Sequence, residues 1–465
     1  MFGVAPAQPP AHRNVKQRRT KSANTNINRY IAAVDAGGTN LKIRVVKISG
    51  GKIIGKADVS VPSAKNLGEF YNNMVNGIKD AAGKLGIGLD GISEVRVAIP
   101  GPGDGTNYVI TNVAPGVRTN IVEELKKRGI KGKIVGLNDA DAAALGAVLN
   151  PRVQRHIIKQ GNANIVVFTL GTGIGIAHIN AHVEGSGKIQ YQLLRGLTGA
   201  GEFHYPVIPV GGGLCGCGQR GCAETTPASA RGQVEAAKRI VSEVNNSLGG
   251  IKPGMSDAMM TRRVASLANR DILAARILYE VAAERVNAIN EGRTFTTQDF
   301  NRIIAERVRS LVSAVNSTLG KMLQNGIQIQ AHEIDALAQK GDPLARMIME
   351  EGGRIMGRVA RDEVNRTEST IVVMCGGGAN TPKNGPYRKT FEEVFNAKPG
   401  IMKGIRDALR TRTGSGKVPV VWIKQTKKQN LGLDGAVSIP LETDIDNDMK
   451  ERTQEAIAAM RRNTE

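Results

Sequence analysis

Three of the chain's four cysteines, Cys215, Cys217 and Cys222, lie close together, and His204 stands shortly before them. Three thiolates and one imidazole suffice for a closed tetrahedral zinc site. The C-x-C-x4-C spacing is set among Gly212, Gly213, Gly216, Gly218 and Gly221, which let the backbone wrap tightly round one point. Cysteines that only pack sit singly in apolar runs, as Cys375 does in TIVVMC. A structural zinc is the expected occupant; disulfides and a redox site are the alternatives. Glu202 and Glu224 flank the cluster. Beside that many thiols these carboxylates read as polar groups that the metal positions.

Two other stretches suit phosphate. Asp35-Ala36-Gly37-Gly38-Thr39 joins the apolar runs Tyr30 to Val34 and Leu41 to Val46, so it reads as a hairpin tip. Backbone N–H groups there can face an anion, and Asp35 can hold a metal or its water. A tight turn also favours Asp-Gly, so the motif alone is moderate evidence. Gly171-Thr172-Gly173-Ile174-Gly175 joins the run Ile165 to Leu170 to Ile176 to Ile179 with similar chemistry. Two such tips in one chain suggest the two lobes of a phosphotransferase cleft.

Asn138-Asp139 ends the buried-type run Lys133 to Leu137, just before the helix-like AAALGAVL. Open α/β sheets place ligands at such strand ends. Asp139 is a candidate proton acceptor there, and the bland reading is a helix cap; one carboxylate can do both. Pro100 to Gly103 forms a rigid loop after the strand Glu94 to Ile99, of a kind that lines clefts. Gly376, Gly377 and Gly378 follow the buried strand Thr370 to Cys375 and leave room for a nucleobase or ribose against backbone.

The elements that must hold these residues alternate strands with helices, which points to an α/β fold. A helix is predicted near 67–85, and a helical tract spans roughly 230 to 330, with apolar residues recurring at three and four. Another helix runs from Ala331 to Arg366 with a restart at Gly341-Asp342-Pro343. A strand over 418–423 and a helix from Leu431 follow. The expected organisation is a disordered basic tail (1–28), an N-terminal α/β domain (29–150) and a larger C-terminal α/β domain (151–445). The latter carries the zinc motif (204–222) and a helical insertion (about 235–325). The last residues, 446–465, are expected to form a helix packed back on the body.

Composition narrows the function classes. At 465 residues the chain can build two or three cored domains. A net charge of +21 suits nucleic acid, an anionic membrane or an anionic small substrate. Aromatics make up only 3%, which leaves few platforms for stacking bases, and the basic residues are spread along the whole chain. The expectation is an enzyme with a general preference for anions, with no nucleic-acid partner. The cysteine usage points to a reducing, cytoplasmic setting. No apolar run approaches a membrane span. The first 28 residues are too short for a helix-turn-helix module; an Arg-rich, acid-free organelle presequence is the other reading of that segment.

DAGGT at 35–39, ND at 138–139, LGTGIG at 170–175, HYPVIPVGGGLCGCGQRGCAE at 204–224 and CGGGAN at 375–380 together resemble the ROK family of sugar kinases and repressors. The register of Ala338 to Glu351 fits it too. The resemblance spans roughly 29–230 and 330–440. It implies an actin-like, ribonuclease-H-like pair of α/β domains closing on a cleft, ATP with Mg²⁺, and a homo-oligomer, a dimer or tetramer.

Residue by residue, the resemblance makes Asp139 the general base and gives the sugar to Asn138, Glu202, His204 and Glu224. It makes His204, Cys215, Cys217 and Cys222 the zinc ligands. Asp35, Gly37, Gly38, Thr39, Gly171, Thr172 and Gly173 would hold the phosphates and Mg²⁺, and Gly376 to Gly378 the adenosine. Two departures stand out. The family's G-E-x-G-H appears here as Gly201-Glu202-Phe203-His204, one residue shorter. Its A-P-N element appears as Ala114-Pro115-Gly116, with Asn112 or Asn120 as the nearby amides.

The implied reaction is phosphorylation of a hexose, with glucose the default. N-acetylmannosamine, fructose and allose are the alternative sugars and polyphosphate the alternative donor. Readings from other classes are a sugar-responsive transcription regulator and a non-catalytic sugar-binding protein.

Overall fold

The structure is a computed structural model. It describes residues 28–438 other than 38–39, 51, 102, 111–112, 115, 195–213, 216–219, 249, 252–253, 269–271, 398–399 and 425–429. The expectations for the two terminal segments therefore lie outside the described residues, except at residue 28.

Two five-stranded sheets repeat one order. In the first, β1 (Arg29–Ala36), β2 (Asn40–Ser49) and β3 (Lys52–Pro62) form an antiparallel meander. Helix α1 (Leu67–Gly83) then crosses back to β4 (Glu94–Ile99), which pairs parallel with β1. A small ribbon, β5 (Asn107–Val109) with β6 (Arg118–Asn120), and α2 (Ile121–Lys127) lead to β7 (Lys133–Asn138), parallel to β4. The chain crosses to the second sheet through α3 (Asp139–Val148) and α4 (Pro151–Gln160).

The second sheet is built in the same way. An antiparallel meander joins β8 (Asn162–Leu170), β9 (Ile174–Val183) and β10 (Ile189–Leu194). Five helices follow: α5 (Ala230–Leu248), α6 (Asp257–Leu267), α7 (Ile272–Asn290), α8 (Thr297–Val315) and α9 (Thr318–Gln324). They fill the tract where apolar periodicity predicts helix. Next come α10 (Ala331–Gln339) and α11 (Pro343–Thr367), separated at Gly341-Asp342, where Asp342 caps the new helix and Pro343 starts it.

Strand β11 (Ile371–Cys375) adds parallel to β8. Helices α12 (Pro386–Phe395) and α13 (Lys403–Thr413) precede β12 (Val420–Trp422), parallel to β11, and α14 (Leu431–Ser438) closes the described chain. The sheets are mixed, and the architecture is the α/β, actin-like arrangement that the motifs imply.

Three main cores hold this together. One packs α1 and α2 on the first sheet and another packs the helices from α5 onward on the second. The third lies between the sheets, where Ala142, Ala144, Leu145 and Val148 of α3 meet Ile165, Val167 and Ala177 of β8 and β9. Helix α14 returns to the first sheet against β1, β2 and β4 and also packs along α3. Two helices thus cross between the sheets side by side.

Candidate active site

The strand ends come first. β4 and β7 run in parallel with Ile99 opposite Asn138, so Pro100-Gly101 and Asp139 leave the sheet as neighbours. Asn138 is buried, and its Nδ2 donates to the Gly101 carbonyl at 3.1 Å. Its Oδ1 accepts the Ala140 N–H at 2.8 Å, which caps α3. Gly101 has φ 110°, a conformation that favours glycine. Asp139 follows at the first turn of α3, half-buried, and its Oδ1 also takes the Ala140 N–H at 2.9 Å. A carboxylate there is held by the helix N-terminus.

Asp35 ends β1. Its Oδ2 accepts from Asn430 Nδ2 at 2.9 Å, and Lys42 Nζ lies 4.0 Å from the same oxygen. A Cβ on Gly432 would lie 3.0 Å from the Asp35 Cγ, so a glycine lets the start of α14 come close. The hairpin tip closes with the Gly37 N–H on the Asp35 carbonyl; Gly38 and Thr39 are outside the described residues. A half-exposed carboxylate anchored through one oxygen fits the hard, oxygen-seeking character of Mg²⁺.

The second tip is built in the matching place. Gly171 N–H donates to the Gly173 carbonyl, and the first amides of α5 hold the loop: Ala230 N–H on the Gly171 carbonyl and Arg231 N–H on that of Thr172. Pairing of β8 with β11 sets Cys375 opposite Thr169. The turn Gly376 to Gly378 therefore lies against Leu170, immediately before this tip. Gly376 has φ 88°, and a Cβ on it would lie 2.6 Å from the Leu170 carbonyl oxygen. Gly377 and Gly378 are exposed beside it. Cys375 is core, as its apolar run predicts, and burial pushes its thiol up to about 12.

The cysteine region joins the same place. Cys215 and Cys222 are both buried, and a bridge between Leu214 and Arg220 closes the loop that separates them. Gly221 turns the chain at φ 73°. The Cys215 thiol donates to Glu224 Oε2 at 3.4 Å. Glu224 Oε1 in turn sits where a Cβ on Gly173 would be, 1.8 Å away. Cys215 and Cys222 are the two expected zinc ligands that lie among the described residues. The other two ligands expected, Cys217 and His204, lie outside the described residues, as does Glu202. Among the described residues no group of three or more His, Cys, Asp or Glu side chains forms a metal cluster.

Asn430 and Lys42 escape a motif reading, because their tie to Asp35 exists only through tertiary contact; an Asn before an apolar helix signals only the cap it makes on the Leu433 N–H. Asp335 of α10 is another such residue. It accepts from Thr381 Oγ1 at 3.5 Å, just beyond the 376–378 turn, and burial holds its carboxyl above the usual range. Asn120 is committed to capping α2 through the Glu123 N–H, and Asn112 is outside the described residues.

The sequence pattern of the ROK family matches residues 31–305. A glucokinase of Halalkalibacterium halodurans is 28% identical over 282 residues, 56% of this chain and 78% of that protein. An N-acetylmannosamine kinase of Vibrio cholerae is 25% identical over 216 residues, covering 46% of this chain and 67% of its own. In fold the chain is similar to a ROK family glucokinase from Streptomyces griseus, solved in complex with glucose and AMPPNP. There the TM-score is 0.50 at 21% identity, over 88% of this chain and 97% of the other. It is also similar to a ROK family transcriptional regulator, a homologue of the E. coli MLC protein. That likeness has TM-score 0.53 at 16% identity, over 89% and 78%.

Proposed function

We propose, from the premise that the chain belongs to the ROK family, that it is a sugar kinase moving the terminal phosphoryl group of ATP to a hexose hydroxyl. Glucose is the sugar put forward first, because the glucokinase relative covers more of the chain than the N-acetylmannosamine kinase. The observation that carries the reading is the placement of Asp139, at the start of α3, of two glycine-bearing tips and of a glycine turn, all at strand ends.

In this reading Asp139 is the catalytic residue. The sugar hydroxyl oxygen bonds to the γ-phosphorus, its proton passes to the Asp139 carboxylate, and the bond to the ADP oxygen breaks. Asn138 and Glu224, with Glu202 and His204, bind the sugar hydroxyls. The tips at 35–39 and 171–173 hold the phosphates, and Gly376 to Gly378 take the adenosine. Asp35 would hold Mg²⁺, which supplies charge neutralisation on the phosphates. Cys215, Cys217, Cys222 and His204 would hold a structural zinc that shapes the sugar side. Most of the rate then comes from positioning in a cleft closed against water.

The test is ADP release from Mg-ATP over a panel of hexoses and N-acetylhexosamines, repeated with polyphosphate as donor. Turnover on one sugar establishes the reading and names the substrate. Silence across the panel with zinc-replete protein and both donors removes it. A sugar-responsive regulator is the second reading, supported by the likeness to the family's transcriptional regulator; sugar binding without turnover would favour it.

A further inference from the structure

The N-termini of α3 and α14 carry Asp139 and the Asn430 contact to Asp35. Their opposite ends line a separate cavity of about 630 Å³. Gly146, Leu149, Asn150 and Pro151 close it from the α3–α4 side and Val437 from α14. Residues of β2 and β3 close it from the first sheet. The volume is that of a small-molecule pocket. Gly146, the α3 lining residue nearest Asp139 along the helix, is two turns away, roughly 10 Å, so the cavity lies outside the Asp139 end of the helix pair.

The two helices meet backbone to backbone. A Cβ on Gly435 would lie 1.7 Å from the Ala142 carbonyl oxygen, and one on Gly146 would lie 2.2 Å from that of Leu431. No flexible side chain cushions these contacts, so a shift at one end of the pair must move the other. Since α14 rests on the first sheet and α3 on the second, the pair is the joint between them.

The lining states the ligand's chemistry. Its walls are apolar, from Val46, Ile53, Leu149, Pro151 and Val437. Ile53 is 53% and Leu149 39% exposed, so apolar surface is left open to water. The Arg44 guanidinium at the cavity is taken up by two carboxylates: it binds Asp58 in a two-bonded fork and Asp434, which also lines the cavity, at 2.5 Å. Lys56 is exposed at the cavity and forms no ion pair among the described residues.

We propose that this cavity is a second ligand site, taking a small organic monoanion with an apolar body, and that its occupancy is coupled to closure of the cleft. The coupling rests on the kinase reading above; the binding does not.

The probe is 8-anilinonaphthalene-1-sulfonate, one sulfonate on an apolar aromatic body, titrated by fluorescence into the intact protein. Saturable binding at one site is expected. Leu149→Glu and Lys56→Glu should each weaken it by about ten-fold or more, equal to ~1.4 kcal/mol, with melting temperature unchanged. Lys56→Arg should keep it. Binding that survives both acidic substitutions lies elsewhere and overturns the site. The titration is then repeated with the sugar that supports turnover, and its midpoint should move by about threefold or more, with sugar affinity moving by the same factor. An unmoved midpoint overturns the coupling. The first titration needs neither sugar nor ATP, so silence in the kinase assay would count against the proposed reaction and leave the cavity result standing.

Discussion

Glu224 presses its carboxylate against Gly173: a Cβ built on that glycine would lie 1.8 Å from Oε1, while Oε2 accepts the Cys215 thiol. One side chain thus joins the phosphate-type tip to the cysteine loop. Gly173→Ala must displace that carboxylate. We expect the sugar KM to rise about ten-fold or more, and Glu224→Ala to do the same. The double variant should be no worse than either single one, a coupling of about 1 kcal/mol or more. Steady-state kinetics on the four proteins checks this; strictly additive losses would count against the contact.

Asp139 is placed to take a proton, so Asp139→Asn should lower kcat by about 10²-fold or more. The amide keeps an oxygen for the Ala140 N–H, and melting temperature should stay close to that of the parent. Turnover near the parent's level would remove Asp139 from the role of base.

The crossing of α3 and α14 leaves no room for a side chain. Gly435→Ala would drive a methyl to 1.7 Å from the Ala142 carbonyl oxygen, and overpacking of this kind costs about 1–3 kcal/mol. Urea denaturation should show that loss. An unchanged midpoint would mean that the helices separate without cost.

Glu363 of α11 lies buried beneath β9, with the His178 Nε2 at 2.9 Å from its Oε1 and Arg366 forked onto both its oxygens. Burial pushes the Glu363 carboxyl up, and these two partners outweigh it, leaving the carboxyl below its ordinary 4.5. A carboxyl so depressed stabilises the fold above its ordinary value, and that contribution is lost as pH falls through the folded value. Glu363→Gln should therefore melt well below the parent at pH 7, with the gap narrowing below about pH 4.5. Thermal melts from pH 7 to 3.5 measure it, and a constant gap would refute the charge effect.

If the buried thiols of Cys215 and Cys222 hold zinc, the protein purified without chelator should contain about one zinc per chain. Cys222→Ala should carry little, by elemental analysis. Loss of zinc should raise the sugar KM through Glu224, with Asp139 left in place. Equal zinc in parent and variant would exclude Cys222 as a ligand.

Much of the framework was legible along the chain because its signals are local. The β-branched run EVRVAI is β4 with the bounds its pattern shows. The Gly/Thr links at 35–39 and 171–175 read as turns because glycine and alternating strands leave few other choices. The Asp342-Pro343 restart is visible because a proline cannot continue a helix but can begin one.

Tertiary structure alone decided which of these turns meet. Nothing near Gly376 in sequence says that it will lie on Leu170; the parallel register of β8 with β11 puts it there. Asn430 reaches Asp35 only because α14 returns to the first sheet through glycines small enough for backbone contact. Arg44 finds Asp434 by the same return. Periodicity and turn chemistry act over a few residues, so they determine which elements form. Pairing across hundreds of residues depends on how whole faces pack, and that was settled only when the sheets and the two crossing helices came together.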